Sequence, residues 1–540
     1  MLSANTRFNR RAFLLGTAQI VAAARLHAAA QRTRVGVVPS NHSGLLQASS
    51  REDPLDYARV REMVWKAIEY GKPRAGSLEA KIKRGSWVVV KPNIASLRTR
   101  AAYHTGDVTD FRVTRAVLEY VARKSQAGRI TLAEGGTYRN VLDPAKDNTY
   151  TQNGARVDLR DFDWGDQEFP GFGGSVNRLL REMSSEFPDK KFDYADLSYD
   201  ALRDSSGAFR RVEVPRTPDG VGAFGARSDY VVTKTMLGCD FLIDVPVMKV
   251  AGQCGITVCM KNYVGTAPRE FYSYPGMFSN FVMHDTYSVD NRIDPFIADL
   301  VAFHPPDFCV VDALRGLQYH QHGGKEPDQM IRSNFILAGE NPIAMDATAA
   351  YMMGFNPWDI DYLHLGIKRG LGTMDFREIE HVGDEPDKLR QRWGKPEKWY
   401  GRGNREWLVS ADAASNLAAW SRYTSPTDTL DIARAAGGGA GSQTSYGVAT
   451  RLQAEGHRKA FLWVGARGRV QALLNGEKVM EEENTTKYRV GQFRAPVELR
   501  PGENVLVFRV QPLGDSPQIS AVMVGPRNDG DTVEGIRWSV

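Results

Sequence analysis

Closely spaced cysteines are missing from this sequence. The four present, Cys239, Cys254, Cys259 and Cys309, all fall in the middle of the chain, and none forms a Cys-x-x-Cys pair or a zinc-ribbon spacing. That argues against an iron–sulfur cluster and leaves small buried thiols as the simpler expectation. An excess of one charge is missing too: 69 basic residues against 64 acidic leave a formal net charge of +5 in 540 residues. So near a balance gives no footprint for nucleic acid. After the first 30 residues no apolar run is long enough for a membrane span. With 42% hydrophobic residues the chain can bury a large core, spread over roughly two to four domains.

What is present begins at the N-terminus. Asn9-Arg10-Arg11-Ala12-Phe13-Leu14-Leu15-Gly16 places paired arginines before an apolar segment that ends in Ala28-Ala29-Ala30. This is the composition and order of a twin-arginine export signal, removed close to Ala30. His27 and Arg25 interrupt its end, and the segment is short and alanine-rich for a membrane anchor. The expected partner is the twin-arginine machinery, and the expected location is periplasmic or secreted, with no stable span after signal removal.

Beyond the signal, strand and helix patterns alternate. Arg34–Pro39 reads as a strand, Asp56–Tyr70 has helical spacing, and Trp87–Val90 is an apolar run suited to a strand buried on both faces. Lys91-Pro92-Asn93 ends that run, which puts Lys91 at a carboxyl end of the sheet, where open α/β sheets place ligands. Ile130–Ala133 runs into Glu134 and a glycine turn. Glu134 is open to metal, base, sugar-hydroxyl or helix-capping roles. Further apolar runs end at Asp244, Asp312 and Gly339, and a helix over Asn341–Met353 carries Asp346. The alternation predicts a mostly parallel sheet with crossover helices.

Phe241–Gly265, FLIDVPVMKVAGQCGITVCMKNYVG, holds the densest run of polar residues at element ends: Lys249, Thr257, Lys261 and Asn262 around Gly252 and Gly255. A glycine-rich turn facing a helix start, with two ammonium groups beside it, is a way to hold an anion. A buried strand-to-helix connection with two surface lysines is the alternative. His320 and His322 are candidate metal ligands, because on a strand an H-x-H pair faces one side.

After Gly437-Gly438-Gly439 the character changes to short strands with turns at Asn475-Gly476 and Pro501-Gly502, an all-β sandwich. The expected organisation is a signal over 1–30, an α/β domain over 31–383 with an irregular insertion at about 143–225, a linker region over 384–442 and the sandwich over 443–540.

The phrases VVVKPN, DFLIDVPVMK, GITVCMKNYVG, PFIADL, PDFCVVDAL and ILAGENPIAMDATAAYMMGF follow one another as they do in the domain of unknown function 362 family. The resemblance runs from about Trp87 to Gly383. It implies that Lys91, Pro92, Asn93, Lys249, Thr257, Lys261, Asn262, Gly265, Asp312 and Asp346 occupy motif positions, and that His284 falls where a histidine often follows the lysine-asparagine pair. It implies no activity. Val250-Ala251 replaces the family's usual histidine after the first lysine of the central motif, and the ferredoxin-like cysteine run of some relatives is missing. The C-terminal part resembles the galactose-binding-like jelly rolls attached to many secreted carbohydrate enzymes.

The resulting expectation is an exported enzyme acting on an anionic small molecule, sugar acid or glycan. Lys249, Lys261, His284, Asp312 and Asp346 are its catalytic candidates; Lys91, Asn93, Glu134, Thr257 and Asn262 bind substrate. A divalent metal is a possible cofactor. A non-catalytic glycan- or anion-binding protein is one alternative, and a metal-cofactor enzyme akin to the nickel-pincer racemases is another.

Overall fold

The computed structural model describes residues 32–540 except 75, 96–105, 136–148, 153–154, 164–173, 275–280, 290–291, 323–326, 397–402, 426–427, 439–444, 489–490, 515, 529–532 and 534. The export signal lies outside the described residues.

Eight strands form the first sheet: β1 (Thr33–Pro39), β2 (Trp87–Pro92), β3 (Arg129–Glu134), β4 (Lys191–Asp196), β5 (Phe241–Val245), β6 (Phe308–Leu317), β7 (Met330–Gly339) and β8 (Ile379–Gly383). Their order is β8-β1-β7-β6-β5-β2-β3-β4. Only β7 runs against its neighbours, so the sheet is mixed but mostly parallel. The period of two along each strand divides its side chains between two cores. Val35, Val89, Leu242, Val311 and Leu337 face one side, packed with α4 (Asp294–Phe303), α5 (Pro342–Met352) and α6 (Asp361–Lys368). Val88, Val90, Ile243, Val310 and Ile336 face the other, under α1 (Tyr57–Tyr70), α2 (Phe111–Lys124) and α3 (Val176–Glu186). Caps fix where the helices on that second face begin: Asp56 accepts from Arg59 N and Asp110 from Arg112 N.

The stretch expected to be an irregular insertion contributes β4, the edge strand paired in parallel with β3. KFDYAD is half-exposed along its length, and an edge strand needs no continuous apolar run, so the pattern did not announce it.

The second unit is all-β, and its strand pairs are antiparallel. Its longest strand is Arg458–Leu474. It bends near Gly468 (φ +126°), a conformation that favours glycine, and pairs with Phe493–Leu499 before the bend and Gly502–Gln511 after it. The sheet thereby curls around its own core, built on Trp407, Leu462 and Phe508. Glu406–Ser410, Ser421–Thr424 and Leu430–Asp431 also belong to this sheet, although they lie in the region expected to be a linker. Each is too short to show a period. The units are joined by Arg405, which donates to Asp428 at 2.8 Å and to Asp361 on α6 at 2.6 Å, and by the Arg292–Asp428 ion pair.

Candidate functional site

The parallel strands β2, β3 and β5 end side by side, which brings Lys91, Glu134 and Asp244 together beneath the short helix Cys259–Asn262. Lys91 Nζ donates to Glu134 Oε2 at 3.0 Å, to Asn262 Oδ1 at 3.2 Å and to the Pro92 carbonyl at 3.1 Å. Asn262 is the hub of this network. Its Oδ1 also accepts from Asn93 Nδ2 (3.1 Å), and its Nδ2 donates to Asp244 Oδ1 (2.7 Å) and the Lys91 carbonyl (3.3 Å). All of these side chains except Asn93 are buried. Lys91 and Glu134 therefore neutralise each other inside the protein, a structural ion pair rather than a pair of substrate contacts.

Above this network lies a cavity of about 230 Å³, lined by Asn93, Lys249, Thr257, Lys261, Arg269 and His284 among others. Lys249 Nζ is held by two neutral oxygens, Asn93 Oδ1 at 3.1 Å and the Asp107 carbonyl at 2.7 Å. Burial, reinforced by Lys261, brings its pKa down to about 8, against the pull of Asp107. Burial also lowers Lys261. His284, on the helix Phe281–Tyr287, packs edge-on against Phe281 and Phe296. Burial and the nearby Lys261 and Arg269 charges bring it down to about 4, so its ring is neutral at pH 7. Gln253, Gln321 and His322 complete the polar wall. Among the described residues, the lining has three cationic side chains and no carboxylate.

The local fold corrects the anion-loop expectation for Gly252–Thr257. Lys249–Ala251 and Gly255–Thr257 form a β-hairpin in which Lys249 lies opposite Thr257, and Gly255 takes φ +85° at its turn. The helix start that follows is already occupied: Asp346 accepts from Cys259 N at 2.7 Å and Met260 N at 3.1 Å. Lysine side chains, not backbone N–H groups, carry the positive charge of the cavity.

Both expected catalytic carboxylates lie outside it. Asp346 caps that helix from α5, and burial pushes it up to about 7. Asp312, on β6, accepts from Asp110 N at 2.8 Å and Leu314 N at 3.0 Å; burial and the neighbouring Asp110 charge push it up to about 7. Asp110 in turn pairs with Arg112 and Arg315. Both aspartates hold backbone in place. His320 and His322 follow β6 in a bend rather than a strand, and only His322 reaches the cavity. His320 accepts from Gln329 Nε2 at 3.1 Å. Arg269, Gln253 and Gln321 were not anticipated, since nothing in their spacing separates them from surface residues.

The family model described as "Domain of unknown function (DUF362)" matches residues 204–351, which include the hairpin, Lys249, Lys261, His284, Asp312 and Asp346 but neither Lys91 nor Glu134. No curated protein matches the sequence. Among solved structures, the lactate racemase apoprotein from Thermoanaerobacterium thermosaccharolyticum is similar at 13% identity and a TM-score of 0.29; the match covers 54% of this chain and 55% of that one. A family 35 carbohydrate binding module from an environmental isolate matches at 12% identity, covering 18% of this chain and 74% of its own, with a TM-score of 0.15. A second family 35 module, in complex with a glucuronic acid containing disaccharide, matches at 14% identity over 19% of this chain and 77% of its own, with a TM-score of 0.14.

Proposed function

We propose that this chain is an exported enzyme that binds a small carboxylate anion of the sugar-acid class in the lysine-lined cavity, and that its β unit attaches it to glycan. The observation that carries this reading is the pair of ammonium groups, Lys249 and Lys261, in a lining whose described residues include no carboxylate. Such a site stays electrostatically incomplete until an anion enters. At about 230 Å³ it is smaller than a drug-sized pocket and suits a monosaccharide acid. Lys261 and Arg269 take the carboxylate. Asn93 and Thr257 offer hydroxyl contacts. Lys249, with its pKa near 8, is the acid–base group, giving up its proton at mildly alkaline pH and taking one from the bound anion.

One observation favours non-catalytic binding instead: neither Asp312 nor Asp346 reaches the cavity. The test is a screen of uronic and aldonic acids for turnover and binding with the wild type, Lys261→Ala and Lys249→Met. The enzyme reading expects turnover that Lys249→Met abolishes while binding persists, and binding weakened by Lys261→Ala about 10- to 100-fold, the loss of one charge-assisted contact. Binding without turnover in the wild type would establish the second reading. No binding of any anion would remove both.

A further inference from the structure

Directly below the Lys91–Asn262 network, Asp244, Cys259 and Cys309 turn their side chains toward one another. One oxygen and the two sulfurs all lie within 4.8 Å of each other. Each residue is fully withdrawn from solvent. The positions are fixed independently. Asp244 and Cys309 are register partners across the parallel pair β5 and β6, which puts them on one face. Cys259 opens the short helix whose first N–H groups are pinned by Asp346. Asp244 is oriented through one oxygen only, Oδ1, by Asn262 Nδ2. Its other oxygen, Oδ2, is buried and has no hydrogen-bond partner among the described residues.

A buried carboxylate oxygen left without a partner is costly, more so if charged, and needs an explanation. We propose that Asp244, Cys259 and Cys309 form a buried site for zinc(II), which takes the free oxygen of Asp244 and both sulfurs as thiolates, releases the two thiol protons to solvent and completes its four-coordination with a water. The donor set fits that ion. Two thiolates with one carboxylate suit a borderline-soft divalent cation, whereas a harder cation would not take the sulfurs. The three atoms must draw in by roughly 1 Å from their outer separation to reach tetrahedral edges near 3.8 Å. Asn262 supplies the supporting hydrogen bond that ligating carboxylates usually carry. Cys239, which faces His304, and Cys254 lie apart from this group. Through Asn262 the ion would steady the floor of the cavity without touching its ligand.

The test uses the full chain. Protein produced in zinc-supplemented medium and dialysed natively against EDTA is expected to retain about one zinc per chain by elemental analysis. The zinc is released to a chromogenic chelator only on unfolding. Cobalt-loaded protein is expected to show the ultraviolet sulfur-to-cobalt charge-transfer band, lost in Cys309→Ser and kept in Cys239→Ser. Zinc that EDTA strips, or that survives in a folded Cys309→Ser variant, would overturn the proposal. So would metal-free folded protein with four free thiols, or with a Cys259–Cys309 disulfide by mass spectrometry. If Cys309→Ser does not fold, the cobalt band of the wild type decides.

Discussion

Lys91 and Glu134 close a 3.0 Å salt bridge with both side chains withdrawn from water. Each charge depends on the other, because neither has solvent to return to. Lys91→Met removes the ammonium and leaves the Glu134 carboxylate buried, reliant on neutral donors such as the N–H groups of Ile94 and Gly135. The expected loss is about 3–5 kcal/mol in urea unfolding, and Lys91→Met combined with Glu134→Gln is expected to recover much of it. A single variant as stable as the wild type but unable to bind anions would move Lys91 from the protein's support into its binding site.

The Lys249 pKa of about 8 sets a direction for ligand binding. Below that pH the ammonium is charged and attracts an anion; as pH rises through 8 the attraction is lost. For the unliganded protein the sign is reversed. A lysine depressed from its ordinary value destabilises the fold below about 8, and that cost is relieved between 8 and the unfolded value. Calorimetric titration with D-glucuronate at pH 7 and pH 9.5 is expected to show roughly tenfold weaker binding at the higher pH. Lys249→Arg, charged throughout, is expected to show a smaller loss, that due to Lys261. An unchanged affinity in the wild type would show that the Lys249 charge takes no part in holding the anion.

What the sequence made legible was element type and chemistry at strand ends. VVVKPN and FLIDVPVMK are buried runs broken by lysine, and their carboxyl ends do meet under one helix. The mostly parallel sheet followed from alternation, and Lys249, Lys261, Thr257, Asn93 and Asn262 are brought to one cavity with His284. What stayed hidden was direction. Asp312 and Asp346 are as conspicuous in the sequence as Lys249, but they lie inside β6 and α5 and their carboxylates turn to backbone N–H groups. No periodicity reports which way a strand-end side chain points once the chain folds back over it. The meeting of Cys259 with Cys309 was hidden likewise, since 50 residues separate them.

Asp346 separates a structural from a catalytic role by the sign of a pH dependence. Burial holds its folded pKa near 7, above the ordinary carboxylate value of 3.8. A raised carboxyl stabilises fully below the unfolded pKa, and that contribution disappears as pH rises through 7. A rise of that size corresponds to about 4 kcal/mol across the window. Asp346→Asn keeps one acceptor for the two N–H groups of Cys259 and Met260 and loses the titration. Its stability deficit in urea is therefore expected to be largest near pH 4.5 and to shrink toward pH 8. Had Asp346 been a catalytic acid facing solvent in the cavity, its replacement would change turnover and leave the difference in stability flat with pH. A flat difference would thus remove the capping role assigned to it and return it to the reacting groups.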